Sequence, residues 1–388
     1  MTHFYFQNKN QIIAELTLNK NNVIIHNYDK KLDKIYNNFS DWIKSRIEVA
    51  NRLNIYDMCK IGGLRNLEDY AKATKSISAT DTFWMNNTED LKQWSKINVF
   101  KNRISKILAD TALDGIQLLR GQNTDSPSPQ YKLDGSADKC IKRHGINKYN
   151  SPIYLYKSCG EIWREQMNVR PYSEYLVSQL EEKLSFTDFV KYNIIEKTTE
   201  SNKIKPYSIC KIFTNENIGL VDYSDSIFYK TDLLTLRKIF KQREMKRDYN
   251  ILTEMLILDS ITLNIDRHDS NYAFIFNTNN LEIIGLSPIY DNDCSLASTI
   301  SIKDKTFNDA YNELMLKETK THLGTFNNQA LSIINRDIYN KLKQVKHITF
   351  DFSKIKGMSD TRKEFIEYLV NRRIQEIIKL TEEAYHLT

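Results

Sequence analysis

Asp266 and Asn271 stand five positions apart in Asn264-Ile-Asp266-Arg267-His268-Asp-Ser-Asn271, and another acid, Asp291, follows in Ser287-Pro-Ile-Tyr-Asp291-Asn-Asp293. The first pair lies directly after a stretch with helical character and directly before two strand-like runs, Tyr272 to Phe276 and Leu281 to Leu286. Asn277-Thr-Asn-Asn280, between the runs, is plausible hairpin chemistry. A hairpin returns the chain to its starting end, so Asp291 can lie beside Asn271 despite about twenty positions of separation. One carboxylate and one amide oxygen, completed by phosphate oxygens and water, suit Mg²⁺, a hard cation that keeps part of its hydration. Asp266 would then be left to orient and deprotonate an attacking hydroxyl. A catalytic acid, an amide five residues on and a metal-binding acid beyond a hairpin are the working parts of kinase chemistry.

Three polar residues after a helix usually form a cap or a solvated turn, and Asp-Arg-His alone would be read that way. Order along the chain changes the odds, because Lys157 and Glu174 precede the set. Lys157 ends the short β-type run Ile153-Tyr-Leu-Tyr156, and Glu174 lies in 172–184, where Tyr172, Tyr175, Leu176, Gln179 and Leu180 have helical spacing. Strand-like stretches come next at 189–196 and 207–214, then helices at about 231–245 and 248–262. The last segment, 361–384, puts Ile366, Val370, Ile374, Ile377 and Ile378 on one helical face. Residues 3–28 read as short strands, with Ile12 to Leu18 and Val23 to Ile25 separated by the turn-prone Asn19-Lys20-Asn21-Asn22. Residues 33–120 mix helical spacing with turns and the aromatic segment Asp81-Thr-Phe-Trp84, and residues 131–142 are polar around Gly135. The densest cluster of loop formers, Gly121 to Pro129, is the best candidate boundary.

Composition narrows the class. A chain of 388 residues with 41% hydrophobic and 27% charged residues, 22 Tyr and 17 Phe can bury more than one core and is not a disordered or stapled peptide. Only 11 Gly and 6 Pro favour long helices with economical loops. The 55 basic and 49 acidic residues leave a net charge of +6 that is mostly scattered, so charge does not indicate nucleic-acid binding. The exception is the run Arg237, Lys238, Lys241, Arg243, Lys246 and Arg247, read as a solvated helix face. Five cysteines without metal-ligand spacing suit free, buried thiols in a reducing compartment. No apolar run approaches a membrane span and the start lacks an apolar signal core, so a cytoplasmic protein is expected, although secretion as an effector without such a signal would leave no trace.

Asn-x-Asp-Arg-His-x-x-Asn with Pro-x-Tyr-Asp about twenty residues later resembles the HipA-like serine/threonine kinase family. Ile-Tyr-Leu-Tyr-Lys157 and Tyr-Ser-Glu174-Tyr are similar to that family's nucleotide-lysine strand and the helix after it. Ser78-Ala-Thr-Asp81-Thr-Phe-Trp84 resembles a segment of the N-terminal region in some members. The resemblance covers most of 75–296. It implies an α+β, two-lobed kinase-like fold with a mixed α/β N-lobe and a mainly helical C-lobe. In that reading 1–120 is an N-terminal region, 121–215 the N-lobe and hinge, and 216–388 the C-lobe.

The same resemblance implies the roles. Asp266 is the catalytic acid/base, Asn271 and Asp291 hold Mg²⁺, and Lys157 contacts the α/β-phosphates of ATP with Glu174 as its ion-pair partner. Cys210-Lys-Ile212-Phe213-Thr falls at the hinge, where backbone would bind the adenine edge and Ile212 or Phe213 would pack near the ring. Asp134-Gly135-Ser136-Ala137-Asp138-Lys139 takes the place of the phosphate-covering loop, although its single glycine matches neither GxGxxG nor a P-loop. Ser136 reads as a turn former, with self-phosphorylation the alternative the family suggests. His268, grouped with the nucleotide-site residues, reads as a brace of the catalytic loop and Arg267 as an internal salt-bridge partner. The expected activity is ATP- and Mg²⁺-dependent transfer to a protein Ser or Thr hydroxyl, with an antitoxin or host protein as a possible partner. The alternatives are a phosphoinositide-type lipid kinase and a nucleotide-binding pseudokinase.

Overall fold

Alternating apolar residues at the N-terminus build three consecutive antiparallel strands, β1 (Thr2–Asn8), β2 (Gln11–Asn19) and β3 (Asn22–Tyr28). The turn expected at 19–22 joins β2 to β3. Helices α1 (Phe39–Ile47), α2 (Leu53–Ile61) and α3 (Leu67–Thr74) come next, and β4 (Phe83–Asn87) then pairs with β1 to give the sheet order β3-β2-β1-β4. After α4 (Trp94–Ile97) comes α5 (Lys106–Asp114). Asn38, Asn66 and Ser105 start α1, α3 and α5 by accepting a backbone N–H with their side chains. A computed structural model of the chain describes residues 1–115, 128–133, 135–144, 151–159, 169–199 and 202–386. Most of the candidate boundary loop, 121–127, and Asp134 lie outside the described residues.

Arg46 of α1 clamps the segment entering β4. Its guanidinium meets Asp81 through two bonds of 2.8 and 2.7 Å and also donates to the Phe83 carbonyl at 2.8 Å. Both partners are buried, and the fork geometry fixes residues 79–83 in a way a lysine could not.

The second sheet contains β5 (Lys139–Arg143), β6 (Ile153–Ser158), β7 (Tyr192–Thr198) and β8 (Ile204–Lys211), in the order β5-β6-β8-β7, with α6 (Arg170–Lys183) packed against it. The last two strands are displaced from the expected 189–196 and 207–214 for a tertiary reason. Phe189 is engaged in a parallel bridge to Ile289, and the Val190 N–H donates to the Ile289 carbonyl at 2.9 Å. Beyond Lys211 the chain leaves the sheet, and the Thr214 hydroxyl turns to the Ala79 carbonyl.

The remainder is a helical layer around a small sheet. Its elements are β9 (Ile218–Asp222), α7 (Leu233–Gln242), α8 (Lys246–Thr262), β10 (Ala273–Asn277), β11 (Glu282–Leu286), α9 (Phe307–Met315), α10 (Phe326–Ile333), α11 (Arg336–Gln344) and α12 (Asp360–Tyr385). The strands pair as β11-β10-β9. Helix α8 is buried on nearly all sides, with α7, α10 and α12 against it, so it carries no one-sided apolar stripe. The five aliphatic residues anticipated on the last helix are all buried. In the basic run, Lys238, Lys241, Arg243 and Lys246 are exposed, as a solvated face requires. Arg237 and Arg247 instead turn inward, to Thr253, Tyr249 and the Ile333 carbonyl and to Asp188, Asp248 and the Leu286 carbonyl. All five cysteines are buried and free. Among the described residues no helix is long and apolar enough to cross a membrane.

Across β9 and β10, Gly219 sits opposite Phe276, and a Cβ at 219 would fall 2.3 Å from the Phe276 ring. Phe276 is fully buried and cannot move into solvent. Gly219→Ala is therefore expected to destabilise the fold by about 1–3 kcal/mol through overpacking. A lowered urea midpoint with an unchanged slope is the measurement that checks it.

Candidate active site

Helix α8 ends with Leu263 in the left-handed region, φ +52°, and the chain turns back over the helix terminus. Asp259, buried in the last turn, organises the loop beyond the helix: its carboxylate accepts from Asn264 Nδ2 at 2.9 Å and from Arg267 Nε and Nη2 at 3.0 Å each. Asn264 Oδ1 in turn accepts the Asp266 N–H at 3.1 Å. The His268 N–H donates to the Asp266 carbonyl and the Asn271 N–H to the His268 carbonyl, each at 2.8 Å, while the His268 ring accepts the Ser270 N–H at 3.2 Å. His268 thus braces the loop from within and also lines the central cavity.

The hairpin brings its two ends together. β10 and β11 pair antiparallel, with a bulge between Ile275 and Phe276, and the chain re-emerges at Tyr290 and Asp291 next to the loop it left. One nitrogen, Arg267 Nη1, donates to the Asn271 carbonyl at 2.8 Å and to the Tyr290 carbonyl at 2.6 Å. Nη2 adds a bond to Asn292. Arg267 is 1% exposed and binds the loop of Asp266 to the segment of Asp291 as well as to α8.

Lys157 lies in β6, and its Nζ is 2.6 Å from Glu174 Oε1 on α6 and 2.6 Å from Asp291 Oδ1. Glu174 is fully buried, and its other oxygen accepts from the Ser208 hydroxyl. Glu174 is therefore an interior partner of Lys157 and not an exposed helix charge. Burial works against the Lys157 ammonium, but Asp291 and Glu174 outweigh it and hold its pKa well above that of an ordinary lysine. For Asp291 burial also opposes charge, and Lys157 and Lys139 override it, keeping the carboxyl well below the usual range. Burial raises the Glu174 carboxyl in spite of Lys157. Asp291 adopts φ +59°, a left-handed conformation that Asp tolerates better than most residues.

These groups border one cavity of about 520 Å³. Asp266, His268, Asn271 and Asp291 line it, as do the apolar Leu155, Cys210, Ile212 and Phe213 and the loop residues Gly135, Ser136 and Ala137. The two rings Phe213 and Tyr290 lie 6.0 Å apart. β5 and β6 supply the lining by strand alternation, with Lys139, Ile141, Leu155 and Lys157 inward and Cys140 and Tyr156 packed against α2 and α5 on the reverse face.

Sequence reasoning missed several lining groups. Ala79 and Thr80, from the segment clamped by Arg46, form a wall of the cavity, and the Thr80 carbonyl accepts the Leu220 N–H at 2.8 Å. Asp222 closes β9 at the same cavity. Lys139 brings a second ammonium to the cavity lining. Desolvation and repulsion from Lys157 push it down to about 8, against the pull of Asp291. Its signal was present, since Lys139 and Ile141 share a face with alternate residues of β6. Lys320, from the segment between α9 and α10, ion-pairs with Asp266 Oδ1, and no local motif announces it. Cys294 Sγ lies 3.7 Å from Asp266 Oδ2, and burial pushes the thiol up, so it stays protonated.

The donors fit a nucleotide-bound Mg²⁺. Asn271 Nδ2 is spent on the Asp266 carbonyl at 2.7 Å, which leaves Oδ1 as the available face of the amide. Asp291, kept ionised, supplies a carboxylate from the neighbouring segment. Among the described residues no three His, Cys, Asp or Glu converge as a self-sufficient cage. Mg²⁺ associated with phosphate needs only one or two protein carboxylates.

No family model and no curated protein matches the chain. Solved structures do. A chain from the Shewanella oneidensis MR-1 toxin–antitoxin complex of HipA, HipB and operator DNA aligns with a TM-score of 0.54 and 11% identity, covering 99% of this chain and 100% of that one. The Helicobacter pylori proinflammatory kinase CtkA aligns with a TM-score of 0.45 and 18% identity, covering 64% of this chain and 94% of that one. At 11% identity a full-length superposition speaks for architecture, and the architecture this chain shares is HipA-like.

Proposed function

We propose that the chain is an ATP- and Mg²⁺-dependent kinase that transfers the γ-phosphoryl group to a protein Ser or Thr hydroxyl, with 121–215 as N-lobe and hinge, 216–388 as C-lobe and 1–120 as an N-terminal region. The observation that carries this reading is the convergence of Lys157, Asp266, Asn271 and Asp291 on one cavity large enough for a nucleotide. The apolar lining takes adenine beside Ile212 and Phe213. Lys157 and Gly135-Ser136 meet the phosphates. Nucleotide entry exchanges partners: Lys157 gives up Asp291 for the α/β-phosphates and keeps Glu174, which holds it in place. Asn271 Oδ1 and the Asp291 carboxylate would hold Mg²⁺, which would supply positive charge against the phosphates. Asp266 accepts the acceptor's proton as its oxygen forms the new bond to phosphorus, and the bond to the β,γ-bridging oxygen breaks to release ADP.

A protein partner belongs to this reading, because the full-length structural neighbour was solved with HipB and operator DNA. The direct test is incubation of the purified chain with γ-labelled Mg-ATP, alone, with a cytosolic lysate and with phosphoinositide vesicles, and Asp291→Asn as the blank. Label on the chain itself or on a discrete protein, absent from the blank, is the expected result. Label confined to lipid would replace a protein by a lipid acceptor, and nucleotide binding without transfer would leave a pseudokinase.

A further inference from the structure

Phosphoryl transfer requires positive charge where negative charge gathers, at the γ-phosphoryl oxygens. Of the cations near Asp266, Arg267 is enclosed and committed to Asp259, Asn292 and two carbonyls, while Arg170 and Lys139 stand in the cavity lining. Lys157 sits deep beside Glu174, on the α/β-phosphate side of the proposed nucleotide. The ammonium that reaches the Asp266 carboxylate comes from a different part of the chain, Lys320.

The segment carrying Lys320 is fastened at its base. The Thr321 hydroxyl bonds Thr319 Oγ1 at 3.0 Å and also Gln329, and Gln329 Nε2 donates to the Leu256 carbonyl at 2.8 Å and Ser260 Oγ at 3.3 Å. Leu256 and Ser260 belong to α8, the helix that ends in the Asp266 loop. The Thr319 hydroxyl closes the segment on the Gly324 carbonyl at 2.8 Å, with Gly324 at φ +81°. The backbone of Lys320 is thus tied to the same helix as the catalytic loop, while its side chain is 55% exposed. A solvent-facing ion pair of this kind contributes little to stability, so Lys320 can exchange Asp266 for another anion at small cost.

The geometry points to Lys320 as the cation that the α9–α10 segment supplies to the transferring phosphoryl group. The inference rests on the kinase reading above and adds to it a residue outside the Asp266 loop. A hydroxyl accepted by Asp266 lies within about 3 Å of the carboxylate, with phosphorus about 3–3.5 Å beyond in a reactive pose. An ammonium on Asp266 is therefore one side-chain swing from the γ-oxygens. Before substrate binds, Lys320 rests on Asp266; with ATP and acceptor in place it moves to the γ-phosphoryl oxygens and leaves Asp266 to take the acceptor's proton.

The test compares full-length wild type, Lys320→Gln and Lys320→Arg, in transfer assays on whichever acceptor wild type labels and in displacement of a fluorescent nucleotide by Mg-ATP and by Mg-ADP. In Lys320→Gln, kcat is expected to fall roughly 10²–10³-fold, the size of effect seen when one charge-stabilising donor is removed. Mg-ATP affinity should weaken while Mg-ADP affinity, blind to the γ-phosphate, stays within about twofold of wild type. Lys320→Arg should recover at least part of the loss. Wild-type turnover in Lys320→Gln overturns the inference. A faster variant also overturns it, by making the ion pair an inhibitory latch, and so does an equal loss of ATP and ADP binding with a lowered melting temperature. Failure of wild type to transfer label at all would overturn the kinase reading itself, and is visible separately.

Discussion

Asp266→Asn should lower kcat for phosphoryl transfer by roughly 10²–10⁴, the range associated with a positioned general base, while Mg-nucleotide affinity changes less than about tenfold. The amide preserves size and the backbone bonds that Asn264 and Asn271 make to residue 266, but it cannot accept the acceptor's proton. Asp266 is partly exposed, with side-chain contacts to Lys320 and Cys294, so the fold should survive. Asp291→Asn should be comparably inactive for a different reason. Its loss lies in Mg²⁺ coordination, and activity should partly return at high Mg²⁺, which cannot rescue Asp266→Asn. The measurement is initial rate against ATP and against Mg²⁺ for both variants, with a melting curve for each. Ordinary activity in Asp291→Asn would show the assigned metal site to be wrong.

Arg267→Met should cost about 3–5 kcal/mol of stability, the penalty for leaving a buried charge without its partner. The reason is local. Asp259 is 1% exposed, and apart from Asn264 Nδ2 the donors to its carboxylate are the two guanidinium nitrogens. Removing them strands an anion inside the helical layer and also releases the carbonyls of Asn271 and Tyr290. Asp259→Leu in the same chain should recover a substantial part of the loss, because an apolar pair leaves no stranded charge. Urea unfolding of the two single variants and the double variant closes the cycle. A stability change below about 1 kcal/mol in Arg267→Met would show that Arg267 does not clamp the two segments.

Much of the chemistry could be read locally. The Asp266–Asn271 spacing, the hairpin signal and the Lys157 strand are short-range features, and the main helices declare themselves by apolar spacing and by caps. The rest depends on distant packing. β5, Lys-Cys-Ile-Lys-Arg, shows too few apolar residues to stand out, because Lys139 faces a polar cavity and Cys140 faces a core. β9 contains Gly219, which weakens a strand signal and is explained only by the Phe276 ring opposite. The site shows the same division. Lys157, Glu174 and Asp291 were legible as members of an ordered set, yet their mutual contact required two sheets and a helix to meet. Lys320 is 54 positions beyond Asp266 in a segment with no periodic signal, so nothing local marks it.

The carbonyls of Ala79 and Thr80 bear on modularity. Both come from the segment that Arg46 clamps to α1, and both accept hydrogen bonds, from the Thr214 hydroxyl in the connection beyond β8 and from the Leu220 N–H of β9. The opening third of the chain is therefore masonry of the cavity, and trimming the protein to begin at residue 121 would open one side of it. The Arg46–Asp81 fork thus ties α1 to the segment whose Ala79 and Thr80 line the cavity.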